Sequence, residues 1–250
     1  MRTHGYLLPK KAYLISYPRS GANWLRYCIE AICKAPTHGV APRSPLTPLD
    51  GPVEEAVREL MDVSLGVDLR KSPVLQHSHR WHESAPSTRI LMIVRNYKEC
   101  ILRDFRGTVG NDSLVHEIAS RDSIDILCNK DGLRDYSHLL EEYVKHPGPK
   151  HLIYFEDLKL KPAETLAQLA SFVNGEPEMV ATFIEHLDRH NKVSVLVYNG
   201  GVAKSYTQGT NNMTLHSDEF LTLGNKIKWD EHIKEHHPTI VPLLERYFEK

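Results

Sequence analysis

Short unbroken apolar runs, separated by longer segments of helical period, constrain this chain more than any other feature. Ala12–Ser16, Pro73–Gln76, Ile90–Val94 and His151–Phe155 are of strand length and show little alternation, as in a parallel sheet covered on both faces. Between them, Ala22–Cys33 places Leu25, Cys28, Ile29 and Ile32 on one helical face. Leu133–Val144 does the same with Tyr136, Leu139, Leu140 and Tyr143, and Pro162 is suited to open a helix that runs to Val173. The order strand, helix, strand, strand, helix, strand, helix predicts an α/β fold with a mostly parallel central sheet flanked by helices. Ligands of such sheets bind at the carboxyl ends of the strands, so functional residues are expected just after each run.

No internal repeat and no sharp break in composition divides the chain, so residues 1–250 read as a single domain. Ala35–Pro52, with five prolines and two glycines, reads as a long loop, and Asn199–Ser217 is a second irregular stretch. With 31 Lys and Arg against 32 Asp and Glu, the formal charge of −1 argues against a general binder of nucleic acid or anionic membrane. The longest purely apolar run, Ile90–Val94, falls far short of the ~20 residues of a membrane helix, so no membrane span is expected. Leu7 and Leu8 are followed at once by Pro9 and two lysines, which is not the pattern of a secretory signal. Cys28, Cys33, Cys100 and Cys128 form no close Cys-x-x-Cys pair and read as free thiols in a reducing, cytoplasmic compartment.

Beyond the first apolar run comes Tyr17-Pro18-Arg19-Ser20-Gly21-Ala22-Asn23-Trp24, and then the amphipathic helix begins. A strand turning at glycine into a helix N-terminus points free backbone N–H groups and the positive end of the helix dipole at one spot, which favours an anion. Arg19 adds a fork of donors suited to phosphate or sulfate oxygens, and Ser20 adds a hydroxyl. The nucleotide loop Gly-x-x-x-x-Gly-Lys-Ser/Thr is absent, which disfavours a magnesium-dependent ATPase. A plainer reading makes the segment a tight turn, with Trp24 as a core anchor.

Two further strand ends carry chemistry. Arg95 follows Ile90–Val94 directly, and its plainer reading is a surface arginine paired with Glu99 at a helix start, worth roughly a few tenths of a kcal/mol. Pro73-Val-Leu-Gln-His77-Ser78-His79 brings two imidazoles to the end of the second run, and histidine is the usual general base near neutral pH. His77, His79, His82 and Glu83 also suggest a metal-hydrolase site, with Asp104, Asp157 or one of His232, His236 and His237 as further ligands. With 15 histidines in 250 residues, a chance cluster is a third account.

Taken in order, these segments resemble the cytosolic-type sulfotransferases, which use 3′-phosphoadenosine 5′-phosphosulfate (PAPS) as sulfuryl donor and release adenosine 3′,5′-bisphosphate (PAP). Tyr17 to Trp24 resembles the family's 5′-phosphosulfate loop, commonly Tyr-Pro-Lys-Ser-Gly-Thr-Thr-Trp, with Arg19 for the lysine and Ala22-Asn23 for the two threonines. Val94-Arg95-Asn96-Tyr97-Lys98-Glu99 resembles the 3′-phosphate motif Arg-Asn-Pro-Lys-Asp, where a serine eight positions after the arginine also binds the phosphate; here that place is Arg103. Ile153-Tyr154-Phe155-Glu156-Asp157 resembles the Tyr-Glu-Asp strand end, with Phe155 at the tyrosine near the adenine. His77-Ser78-His79 resembles Lys-Thr-His, with His79 on the catalytic base and His77 on the lysine. Gly224 and Trp229 keep two positions of the closing Arg-Lys-Gly-x-x-Gly-x-Trp, with Thr222 and Leu223 at the basic pair and Lys226, Lys228 or Lys204 as substitutes.

The resemblance spans Tyr13 to Gly175 and implies a P-loop NTPase-like sulfotransferase fold. His79 and Arg19 are then the catalytic residues, and Arg19, Ser20, Gly21, Ala22, Asn23, Trp24, Arg95, Arg103 and Phe155 bind the donor PAPS and its product PAP, with no metal required. The partner is a small-molecule or glycan acceptor offering a hydroxyl or amine, lined by Ala35–Pro52 and Arg106–Leu127. Other classes stand beside this one: a catalytically silent PAP-binding protein, suggested by Arg103 and the replaced basic pair, a divergent nucleotide phosphotransferase, and the metal hydrolase. Nothing in the sequence fixes an oligomeric state.

Overall fold

The computed structural model describes residues 12–38, 68, 71–82, 86–109, 132–198, 221–222, 224–225 and 227–249. Its elements run β1 (Ala12–Ser16), α1 (Ala22–Cys33), β2 (Gln76–Ser78), β3 (Arg89–Val94), α2 (Tyr97–Val109), α3 (Gly132–Lys145), β4 (Lys150–Tyr154), α4 (Phe155–Leu160), α5 (Pro162–Val173), α6 (Pro177–Glu185), α7 (Leu187–Tyr198), α8 (Trp229–His236) and α9 (Val241–Leu244). Turns of 3₁₀ helix at Pro238–Ile240 and Glu245–Tyr247 flank α9. Outside the described residues lie the 39–52 part of the expected loop, Asn199–Ser217, Arg106–Leu127 beyond Val109, Cys128, Glu83, Leu223, Lys226 and Lys204.

The strands pair in parallel in the order β2-β1-β3-β4. Side chains of β3 divide between two hydrophobic clusters, as successive residues of a strand must when both faces are buried. Ile90, Met92 and Val94 join Ile15 and residues of α2, α3 and α8 on one face. Leu91 and Ile93 join Leu14 and residues of α1, α4, α5 and α6 on the other. The result is the single α/β domain expected from the apolar runs, a three-layer sheet wrapped by helices.

Three boundaries differ from the sequence expectation. The strand expected at Pro73–Gln76 forms instead at Gln76–Ser78, because Val74 N donates to Pro36 O at 2.9 Å and His38 N donates to Leu75 O at 3.0 Å. Val74 and Leu75 are thus engaged by the segment after α1, and only the last residues of the run reach β1. Phe155 opens α4 and does not close β4. The helix α2, absent from the expected order, fills the crossover after β3.

The C-terminal elements are latched to the strand ends by buried polar contacts. Lys98, at the start of α2, is almost fully buried, and its Nζ donates to Asn225 Oδ1 at 2.8 Å, Asp230 Oδ2 at 2.9 Å and Tyr247 O at 3.3 Å. Glu156 accepts from Asn96 N at 3.1 Å and from the Tyr247 hydroxyl at 2.6 Å. Gly224 backs onto this lysine so closely that a Cβ there would fall 2.5 Å from Lys98 Cβ, and Trp229 is fully buried. Gly224 and Asp230, the residue after Trp229, therefore both sit in this latch.

Candidate active site

The turn after β1 is built from two left-handed residues. Arg19 has φ 66° and Gly21 has φ 90°, and Ser20 N closes the turn onto Tyr17 O at 3.3 Å. Gly21 is required twice over, since an L side chain rarely adopts its φ and a Cβ there would lie 2.3 Å from the Phe155 ring. α1 has no side-chain cap, and its first helical bond runs from Leu25 N to Gly21 O at 3.1 Å. The amides of Ala22, Asn23 and Trp24 precede that bond, so they are available to an anion beside exposed Arg19. Ser20 is buried with its Oγ 3.5 Å from Cys100 Sγ, which ties the turn to α2; burial pushes that thiol up to about 12.

Arg95 supports the same turn from the neighbouring strand end. Its Nη1 donates to Arg19 O at 3.4 Å and its guanidinium lies 4.5 Å from the centre of the Phe155 ring. Glu99 Oε2 accepts from Arg95 Nη2 at 2.7 Å and from Arg103 Nε at 2.9 Å. The expected Arg95 and Glu99 pairing is therefore present, but in the interior, with side-chain exposures of 2% and 0%. Arg95 and Arg103 thus share one buried carboxylate beside the turn.

Phe155, a tenth or less as exposed as a free ring, packs under Gly21. Trp24 stacks on Tyr27 with centroids 5.6 Å apart, and Lys159 Nζ stands 4.5 Å over its ring. Both rings line the interior beside the turn. The Trp24 indole N–H is buried without a hydrogen-bond partner among the described residues.

The second strand end brings the histidines to β1. His79 Nδ1 lies 2.8 Å from the Ser16 carbonyl oxygen, which only accepts, so Nδ1 carries the proton and Nε2 keeps its lone pair. Burial and Arg19 push the His79 pKa down, burial the more strongly, while the Ser16 bond and Asp104 push it up; the net shift is downward. His79 is consequently uncharged at neutral pH, as a proton acceptor must be. Asp104 on α2 feels both Arg19 and His79, with burial raising its carboxyl above the ordinary range. Sequence reasoning missed Ser16 and named Asp104 only as a further ligand of the suggested metal site. A polar residue closing the apolar run Ala12–Ile15 was the available signal for Ser16.

His77 points inward. Its Nε2 is 2.8 Å from Ser16 Oγ, and burial, His79 and Arg26 together push its pKa down to about 3. It is therefore neutral and carries none of the positive charge of the lysine it resembles. The three imidazoles of the suggested metal site do not converge: His77 and His79 both turn to Ser16, and His82 Nε2 lies 2.8 Å from Ser78 Oγ. Among the described residues no group of three or more His, Cys, Asp or Glu side chains is arranged to hold a metal ion.

Because His77 binds a proton only when unfolded over much of the acid range, stability is full above about pH 6.5 and declines as pH falls toward 3. The decline should be ~1.4 kcal/mol per pH unit from this group. Urea midpoints of the protein and of His77→Gln, compared at pH 7 and pH 5, check this. The variant should lose less stability over that interval than the parent.

The sequence matches the Sulfotransferase domain family over residues 9–241. The chain belongs to that family. Membership makes this sulfotransferase a transferase, and the match takes in every strand end described above. Its fold is similar to the crystal structure of mouse sulfotransferase SULT7A1 complexed with PAP. The two share 17% sequence identity with a TM-score of 0.53, over 95% of this chain and 88% of the mouse one. Among curated proteins no sequence matches. No helix among the described residues is long and apolar enough to cross a membrane.

Proposed function

We propose that this sulfotransferase moves a sulfuryl group from PAPS to a hydroxyl or amine of a small-molecule or glycan acceptor, in line, with His79 as general base. The observation that carries the reading is the bond from His79 Nδ1 to the Ser16 carbonyl, which leaves Nε2 bare at the strand end next to the Arg19 turn. His79 Nε2 takes the acceptor proton as the acceptor atom attacks sulfur. Arg19 and the amides of Ala22, Asn23 and Trp24 stabilise the charge that grows on the departing phosphate oxygen. Preorganised donors of this kind contribute about 3 kcal/mol or more each when aimed at developing charge. Ser20 and Gly21 shape the same cradle. Arg95 and Arg103 face the 3′-phosphate, and Trp24 and Phe155, both buried beside the turn, form the aromatic backing of the adenine site. Fixed cations and amides do here what Mg²⁺ does in kinases, so the reaction as proposed needs no metal. The thiols described, Cys28, Cys33 and Cys100, are free, consistent with the proposed cytoplasmic location.

PAP at 100 times its dissociation constant should stabilise the protein by ~2.7 kcal/mol. For a chain of this size that is a melting shift of about 5–10 °C. A shift with ATP and Mg²⁺ and none with PAP would replace this reading by a nucleotide phosphotransferase. A shift with PAP but no transfer of labelled sulfate from PAPS to any member of a phenol, alcohol and amine panel would identify a silent PAP-binding protein.

A further inference from the structure

Ser16 closes β1 with its side chain between two imidazoles. Its Oγ lies 2.8 Å from His77 Nε2 and 3.2 Å from His79 Nδ1, while its carbonyl accepts from His79 Nδ1 at 2.8 Å. The two rings stand edge to face, 4.6 Å apart. The arrangement that satisfies all three contacts and also uses the hydroxyl proton has His79 Nδ1–H shared between the Ser16 carbonyl and hydroxyl oxygens, and the Ser16 hydroxyl giving its own proton to His77 Nε2. His77 is in turn anchored by its backbone, whose N–H donates to His38 O at 2.8 Å within the β2 edge.

We propose that Ser16, oriented by His77, is a positioning residue that holds the His79 ring with Nε2 unprotonated and turned away from β1. The proposal rests on the reading of His79 as the base and adds to it the device that fixes its tautomer. It also gives His77 a task different from that of the lysine it resembles. A lysine there would be a cation for the sulfuryl oxygens, whereas His77 serves as an uncharged acceptor for one hydroxyl.

The chain His79, Ser16, His77 is not a relay that ends on His77, because a buried imidazole with a pKa near 3 is too weak a base to keep a proton taken up at neutral pH. When His79 becomes an imidazolium, its Nδ1–H is a stronger donor and both Ser16 oxygens stabilise it. The other charged groups that face the pair are Arg19 on the turn, Arg26 on α1 and Asp104 on α2.

The test is the titration of ring ¹⁵N signals in ¹⁵N-histidine-labelled protein, with His79 assigned from the signals lost in His79→Gln. In the parent protein His79 should show one tautomer, protonated on Nδ1. Ser16→Ala removes one acceptor from the imidazolium while the Ser16 carbonyl keeps the Nδ1 proton, so the His79 midpoint should fall by about half a pH unit with the tautomer retained. Ser16→Thr should restore the parent behaviour. His77→Asn, which removes the partner of the hydroxyl, should shift the midpoint the same way and provides the measurement if Ser16→Ala does not fold. In the transfer assay Ser16→Ala should lower kcat about fivefold to tenfold at unchanged KM for PAPS, the effect of one hydrogen bond. An unaltered His79 midpoint in folded Ser16→Ala and His77→Asn overturns the positioning role. An unaltered transfer rate in His79→Gln overturns the base assignment, and the two failures are read in separate experiments.

Discussion

Replacing His79 by glutamine is expected to lower sulfuryl transfer by about 10³-fold while PAP affinity stays within a factor of about two. A positioned general base contributes about 10²–10⁴-fold, and nothing else described at this strand end offers a bare nitrogen of suitable basicity. His77 is spent on Ser16 and is too weak a base. The parent pH profile carries a matching signature. Because burial lowers the His79 pKa, the acid limb of the rate should lie below the usual imidazole value. Glutamine, which has no proton to lose or gain, should abolish that acid limb along with the rate. Labelled sulfate transfer from PAPS to the acceptor panel measures the rate, and calorimetry with PAP measures the affinity. An equal loss of both would make His79 a binding residue.

Gly21→Ala should destabilise the protein by about 2–4 kcal/mol and abolish PAP binding at concentrations that saturate the parent. Two independent costs combine. A left-handed φ of 90° is strained for alanine by about 1 kcal/mol. The added methyl would also sit 2.3 Å from Phe155 Cδ2, and that ring, only 1% exposed and covered by Arg95, has little room to turn. Overpacking of this kind typically costs about 1–3 kcal/mol. Relief requires the turn to move away from Phe155, carrying the amides of Ala22 to Trp24 with it. Thermal melting should show a drop of about 5–15 °C. A variant that melts within about a degree of the parent and still binds PAP would show that the turn tolerates a side chain.

Much of this architecture was legible in the sequence because its signals are local. The apolar runs at β1 and β3 lie where the strands form, and the helix from Ala22 to Cys33 starts one residue after the glycine that breaks the strand. β2 was displaced because apolarity reports burial and not ladder partners. Val74 and Leu75 are held, but by residues 36–38. The Arg95 and Glu99 spacing revealed a pair but not its depth, since burial of a charge depends on a second guanidinium from Arg103 and on surrounding elements far along the chain. The burial of Phe155 was not legible, because nothing local shows that Gly21 will come to rest on its ring. The role of Ser16 was invisible for a similar reason: its partners are 61 and 63 residues away.

The latch across the strand ends bears on how the protein matures as it is synthesised. Lys98 finds Asp230 across 132 residues and Glu156 finds Tyr247 across 91, so each leaves the ribosome well before its partner, a carboxylate for Lys98 and a hydroxyl donor for Glu156. At about 5–20 residues per second, the nascent chain waits on the order of ten seconds with those side chains uncompensated. During that interval the turn after β1 can form its own backbone bonds but lacks the scaffold that the C-terminal elements complete at the strand ends.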